Sequence, residues 1–252
     1  MEKGRLAEDR ISIEVISLPE STARRASVAR QLDPTGLSWS FFDAIKPSAL
    51  AAPPAEYDRD KRQSFTGYPM SEGEVGCFLS HRAVWREVVS QQRPCLVLED
   101  DFTIAEGEDL AGLLALAAPH LAGFGFIRLN GIFPVLSKPV RQLGSHAIVK
   151  TRRDPAGTLA YLIAPAAAKR LFDASASFFV PVDDFLAWGW RHKQGIFSLQ
   201  PYPIRDAAVL PGAIRDRAKP RLSKTAKLRR EIYRAPIGIR KSLDGFLRWN
   251  LR

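Results

Sequence analysis

Short β-rich runs alternate with amphipathic helical stretches along most of this 252-residue chain, and that alternation limits it to α/β architectures. "ISIEVISL" (11–18) reads as a strand and "STARRASVARQL" (21–32) as a helix that Ser21 or Thr22 can cap. "LSWSFFDAI" (37–45) reads as a second strand, giving β-α-β. In 71–92, Ser71 and Glu74 have capping-box spacing, and Val75, Leu79, Trp85 and Val89 form an apolar face. Further strands are expected at 95–98, 123–130, 146–150 and 157–164, with a last one at 196–203 closing the sheet. Helices are expected at 108–118, 165–175 and 181–192. Residues 46–70, with four prolines, read as a long irregular excursion of the kind that is functional or mobile. The expected architecture is one α/β domain, residues 1–212, around a mainly parallel sheet.

Charge divides the chain unevenly. Residues 1–212 hold 24 basic and 24 acidic side chains, whereas 213–252 hold 13 basic residues and three acids, so the net charge of +10 belongs to the last 40 residues. The opening "MEKGRLAEDR" has no hydrophobic signal region, and no apolar run reaches the roughly 18 residues a membrane span needs. Two cysteines, Cys77 and Cys95, make neither a disulfide framework nor a four-cysteine zinc site. A cytoplasmic protein is the expectation.

The stretch "PCLVLEDDFT" (94–103) carries the first chemical signal. A buried strand runs straight into Glu99, Asp100 and Asp101, and adjacent carboxylates are costly to desolvate without compensating cations or donors. Ligands of open α/β sheets sit beyond the carboxyl ends of the strands. There, hard cations such as Mg²⁺ or Mn²⁺ take one or two carboxylates and complete their shells with phosphate oxygens and water. The alternative is a loop-capping acid beside solvated neighbours. Glu99, Asp101 and Thr103 also have the spacing of aspartyl-nucleophile phosphatases, but glutamate at the nucleophile position would displace the attacking oxygen. Glycosyl transfer from a nucleotide sugar needs the acids only to hold metal and ribose.

Six stretches occur in one order: "VISLPESTARR" (15–25), "FFDAI" (41–45), "SEGEVGCFLSHRAVW" (71–85), "LVLEDDF" (96–102), "GTLAYLIAPAAAKRL" (157–171) and "PVDDFL" (181–186). Together, over roughly residues 11–205, they resemble glycosyltransferase family 25, the lipooligosaccharide-biosynthesis galactosyltransferases and their collagen-modifying relatives. The resemblance implies a GT-A-like fold, a UDP-sugar donor (commonly UDP-galactose), a divalent metal, a saccharide or glycolipid acceptor, and inversion at the anomeric carbon.

Carried over, Asp101 is expected on the metal, with Glu99 on metal or ribose and Asp100 on the ribose or a metal-bound water. Ser17, Arg24 and Arg25 fall in the nucleotide-contacting first loop, where a guanidinium can grip phosphate bidentately or else lie on a solvated helix face. Asp43 falls where uracil or ribose would lie, or simply forms a turn. Glu74, Ser80 and His81 match the helical part of the pattern, reaching the donor diphosphate or orienting the acidic strand. A hydroxyl acceptor needs a carboxylate base. Asp184 is the first choice and Asp183 the second; helix capping is the alternative for either. His192 is read as a surface residue or a further metal ligand. Thr158 and Tyr161 line the acceptor pocket or pack the core. Residues 46–70 match nothing, which leaves the acceptor open.

Basic residues of 213–252 interleave with large apolar ones, and Pro236 and Gly238 divide the segment into two short helix candidates. That composition suits an anionic membrane surface at the inner face of the cytoplasmic membrane. No nucleic-acid motif accompanies it, and the alternative is a tail folded back on the domain. Two other function classes fit the sequence, a metal-dependent phosphotransferase and a non-catalytic binder of anionic surfaces. The joint presence of the "EDD" and "VDD" acids separates the transferase from the binder.

Overall fold

The computed structural model describes residues 11–50, 52, 54–207 and 223–251. The charged N-terminal decapeptide and residues 213–222 of the basic segment lie outside them. Strands β1 (Ser12–Ser17), β2 (Ser40–Asp43) and β3 (Cys95–Glu99) form a parallel trio, with helix α1 (Thr22–Leu32) as the first crossover. Helix α2 (Arg59–Thr66) and a 3₁₀ turn at Pro47–Ala49 order the stretch expected to be irregular. Helix α3 (Glu72–Gln91) starts at the predicted capping box: Ser71 Oγ accepts from the Glu74 amide, and Glu74 accepts from the Ser71 amide.

Beyond β3 lie β4 (Phe102–Ile104), α4 (Leu110–Phe124), β5 (Phe126–Arg128), β6 (Ser137–Leu143), β7 (His146–Thr151) and β8 (Ala160–Ile163). They are followed by α5 (Pro165–Ala174), α6 (Val182–Leu186), α7 (Gly189–His192), β9 (Phe197–Gln200), β10 (Ile204–Asp206) and α8 (Lys224–Leu251). The eight-stranded sheet has the order β2-β1-β3-β8-β5-β9-β7-β6, and β4 pairs with β10 separately.

The sheet is mixed, not mainly parallel. Three ladders are parallel (β1–β2, β1–β3, β5–β9), and four are antiparallel (β3–β8, β5–β8, β7–β9, β6–β7). A parallel neighbour needs a crossover, usually a helix. Between β5 and β8 the chain supplies none, and β6–β7 is a tight hairpin around Gly144 and Ser145. β9 is therefore interior, and β2 and β6 form the edges. The segment 181–192 is two short helices, α6 and α7, rather than one.

The sheet separates two cores. One holds Val28 and Leu32 of α1 with Leu113, Leu114 and Leu121 of α4; the other packs Phe78, Trp85, Phe178 and Phe185 from α3 and the segment around α6. The C-terminal segment is one helix that runs through Pro236, not two short ones. Contacts on both sides of the proline hold it. The Arg234 guanidinium lies 5.9 Å from the Phe65 ring, Ile237 packs on the second core, and Lys138 Nζ sits 4.3 Å over Trp249.

Candidate active site

The parallel trio fixes where the acids meet. Ser17 is opposite Asp43 and Ile16 opposite Glu99, so the ends of β1, β2 and β3 form one rim. Antiparallel β8 begins beside that rim: the Glu99 amide donates to the Leu159 carbonyl at 2.9 Å.

Each acid of the triplet has its own surroundings. Asp100 is buried, accepting from Ser17 Oγ and from an Arg24 Nη, both at 2.7 Å. The cation awaited at the end of this strand is thus Arg24, which also lies 3.8 Å from Asp101. Arg25 is bound likewise, donating to Asp43 and, at 3.0 Å, to the Ser17 carbonyl, with its guanidinium 4.5 Å from the Phe41 ring. Both guanidiniums brace the acidic rim.

Glu99 is the hub. One of its oxygens accepts from Thr158 Oγ1 and lies 3.1 Å from His81 Nε2 and 3.9 Å from Cys77 Sγ. Burial raises its pKa, but the hydrogen bond from His81, with donation from Thr158 and Cys77, outweighs that and holds the carboxyl below its usual range. Asp101 is perturbed the other way: burial, then the charges of Glu99, Asp100 and Asp206 against the opposing Arg24, push it up to about 6.

Asp183 and Asp184 begin α6, and Asp183 accepts from the Asp184 amide at 2.8 Å. Partial removal from water, then the Asp183 charge, raises the Asp184 pKa, while Lys241, Arg62 and Arg234 oppose the shift.

The two acidic segments, 82 residues apart in sequence (Asp101 to Asp183), face one cavity of about 760 Å³. Glu74, Glu99, Asp101, Asp183, Asp184 and Asp206 line it, and Arg205 is the one basic lining residue among those described. The short β4–β10 ladder brings Asp206 to the rim, pairing it with Phe102, and the Ala207 amide donates to the Asp101 carbonyl at 2.8 Å.

Such an excess of carboxylates suits a hard divalent cation, and Asp101 and Glu99 both line the cavity. Cys77, His81 and Glu99 also place potential ligand atoms within 4.8 Å of one another. That trio is a hydrogen-bond hub. Burial keeps the Cys77 thiol far up its range, hence protonated, and His81 and Cys77 both point at the same Glu99 oxygen.

Several expected residues stand elsewhere. Ser80 is fully buried; its hydroxyl donates to Gly76 and accepts from the Ile45 amide, so it supports α3 rather than facing a donor. Tyr161 is fully buried under Trp85 and His81 and lines no acceptor pocket, whereas Thr158 does line the cavity. His192 is buried against the Leu186 carbonyl at 3.1 Å rather than on the surface. His81 is buried behind Glu99 and orients it, and Glu74 caps α3 while lining the cavity.

Sequence reasoning missed Asn130, Tyr202, Arg205 and Asp206, which reach the cavity from loops and a three-residue strand without local signature. It also missed the buried Arg128–Asp154 pair at 2.9 Å, which holds the loop carrying Thr158. Gly157 in that loop has φ +86°, and a Cβ there would stand 2.8 Å from Asn130 Nδ2.

A sequence profile described as "Glycosyltransferase family 25 (LPS biosynthesis protein)" matches residues 11–186, from β1 through α6. The lacto-N-neotetraose biosynthesis glycosyltransferase LgtB of Neisseria gonorrhoeae is 31% identical over 171 residues, which is 64% of this chain and 60% of that protein. LgtB of Neisseria meningitidis serogroup B is 30% identical over 211 residues, covering 78% of this chain and 74% of its own length. Procollagen galactosyltransferase 1 of Danio rerio is 27% identical over 202 residues, 76% of this chain and 33% of its own. The chain thus spans under two thirds of the gonococcal relative and about a third of the fish protein. With the family profile matched over more than half its length, the chain belongs to glycosyltransferase family 25.

Proposed function

We propose that the chain is a GT-A-like, inverting hexosyltransferase that moves a hexose, galactose first among candidates, from a UDP-sugar to a saccharide hydroxyl in surface-glycan synthesis. One observation carries the reading: Glu99 and Asp101 share one cavity with Asp183 and Asp184. A donor site and a base on separate walls are what inverting transfer requires.

In this reading Asp184 takes the proton of the acceptor hydroxyl as its oxygen bonds to the anomeric carbon and the bond to the UDP oxygen breaks. A raised pKa, caused by burial and the neighbouring Asp183 charge, makes Asp184 a stronger base than an ordinary aspartate. Asp101 and Glu99 would hold Mg²⁺ or Mn²⁺, which when bound offsets the charge of the departing diphosphate. Arg205 on the cavity wall adds a guanidinium suited to phosphate oxygens. Arg24, Ser17 and Asp100 form a braced nucleotide-side rim, with Arg25 and Asp43 beside it. Thr158 holds Glu99 in place and faces the acceptor. The acceptor is a saccharide or glycolipid met at the inner face of the cytoplasmic membrane.

The test is a panel of nucleotide sugars assayed with and without Mn²⁺ against simple saccharide acceptors. Metal-dependent release of UDP with a new β- or α-linkage inverted from the donor supports the reading. Transfer from a phosphate donor without sugar transfer would replace it with a phosphotransferase.

A further inference from the structure

The C-terminal helix α8 presents two unlike sides. Successive helical residues are turned by about 100°. On that wheel Leu228, Ile232, Ile239, Leu243 and Phe246 fall within about 60° of arc, and each is more than half exposed, from 54% to 69%. Leu247 lies at the edge of this stripe. The opposite side faces the body: Ile237 packs on the second core, Gly245 is buried with its Cβ position 3.1 Å from the Arg152 carbonyl, and Arg234 lies over Phe65. The apolar stripe therefore points away from the protein along nearly the whole helix. Soluble monomers rarely leave such a continuous apolar patch bare.

We infer that this outward stripe of α8 is a docking surface for an anionic lipid bilayer, with the helix lying in the plane of the headgroups. Charge selects this occupant. Lys224–Leu251 contains eight Lys or Arg against two acids, Glu231 and Asp244, so a second copy of the same helix would meet strong like-charge repulsion. An anionic headgroup layer attracts the same charge and accepts the apolar side chains below it. Arg240 and Tyr233 flank the stripe and can reach the headgroups while the aliphatic face inserts.

The inner side of the same helix carries Arg234 and Lys241, whose charges act on Asp184 in the cavity wall. Docking would thus hold the cavity beside the bilayer, where a lipid-borne acceptor is presented. The choice of a lipid-linked acceptor rests on the proposed transferase reading; the bilayer contact itself does not.

The experiment is co-sedimentation of the full chain with phosphatidylglycerol–phosphatidylcholine vesicles and with phosphatidylcholine alone, across a salt series. The triple variant Ile239→Gln, Leu243→Gln, Phe246→Gln is compared with wild type. Expected are binding only to the anionic vesicles, weakening as salt rises, and at least a tenfold loss of partitioning in the variant. UDP-sugar turnover with a soluble acceptor should be unchanged. Hydrogen exchange of the unaltered chain is a second readout: anionic vesicles should protect residues 228–247. Equal pelleting of both proteins, or no added protection there, overturns the proposal. A wild-type dimer that the triple variant dissolves would assign the stripe to a second copy instead. Vesicle binding needs no turnover, so failure of the transferase reading would leave this result standing.

Discussion

His81 Nε2 stands 3.1 Å from a Glu99 carboxylate oxygen, and Nδ1 of the same ring lies 2.8 Å from the Tyr161 hydroxyl. Trp85 Nε1, which can only donate, bonds that hydroxyl at 2.9 Å. Every group is satisfied if Tyr161 accepts from Trp85 and passes its own hydrogen to His81 Nδ1. His81 then carries its proton on Nε2 and donates to Glu99. Four side chains from α3, β3 and β8 thereby fix one imidazole tautomer and one orientation of the central acid.

Tyr161→Phe tests this chain. It would leave the Trp85 N–H and His81 Nδ1 without partners in a fully buried site, each costing roughly 1–3 kcal/mol. Urea denaturation should show a loss of about 2 kcal/mol or more, and ¹⁵N spectra of His81 should show mixed tautomers. Full stability with a single tautomer would mean the phenol does not set the ring.

Asp101→Asn should separate stability from binding. The native state raises the Asp101 pKa from 3.8 to about 6, so folding disfavours its ionised form. That penalty is absent below pH 3.8, complete above about pH 6 and, at 1.36 kcal/mol per unit, roughly 3 kcal/mol. Glu99 has the opposite sign: its lowered pKa adds stability above the ordinary 4.5, lost as pH falls through the native value. At pH 7.5 without metal, the Asn variant should melt several degrees above wild type. Mn²⁺ with UDP should raise the melting temperature of wild type only, and less at pH 5 than at pH 7.5. Equal Mn²⁺ shifts in both proteins would remove Asp101 from the metal site.

Local signals in the sequence carried as far as local physics reaches. The Ser71–Glu74 box, the helix start at Pro165 and the buried run of β3 appear where propensity and capping place them. Strand direction did not follow, because it depends on connections. β6 is "SKPVRQL", a polar edge strand containing Pro139, so it shows no apolar alternation to read. Arg205 and Asp206 reach the cavity only because β10 pairs with β4 from 100 residues earlier, a long-range contact with no motif behind it. Tyr161 enters the acceptor pocket only through the family pattern, and strand "AYLI", buried on both faces, shows no alternation that would separate pocket from core.

The Arg128–Asp154 pair supplies a third prediction. Both side chains are buried, Asp154 accepts from Nε at 3.1 Å and from a terminal nitrogen at 2.9 Å, and its other oxygen accepts from the Ala156 amide. Asp154→Ala strands a buried guanidinium and frees the 154–158 loop, and should cost roughly 3–5 kcal/mol. Because Thr158 in that loop donates to Glu99, donor affinity should fall as well. Chemical denaturation and UDP calorimetry on one preparation check both. An intact melting curve with weakened UDP binding would assign the pair to the site alone.

Asp184 carries the decisive test of the chemistry. Asp184→Asn keeps the shape of the α6 start, so UDP-sugar affinity should stay within a few-fold of wild type. Turnover should drop by about 10²-fold or more, the scale of losing a general base. Asp183→Asn retains an oxygen for the Asp184 amide and should matter much less. The pH profile adds a check that a capping role would not produce. Lys241 now lowers the Asp184 pKa, so Lys241→Met removes a stabilising charge and should push that pKa further up. The acid limb of kcat should therefore move to higher pH, with less activity at a given acidic pH and recovery under alkaline conditions. If Lys241→Met leaves the limb in place while Asp184→Asn is inactive, Asp184 acts by position and another group takes the proton. If Asp183→Asn alone abolishes turnover, the base is its neighbour.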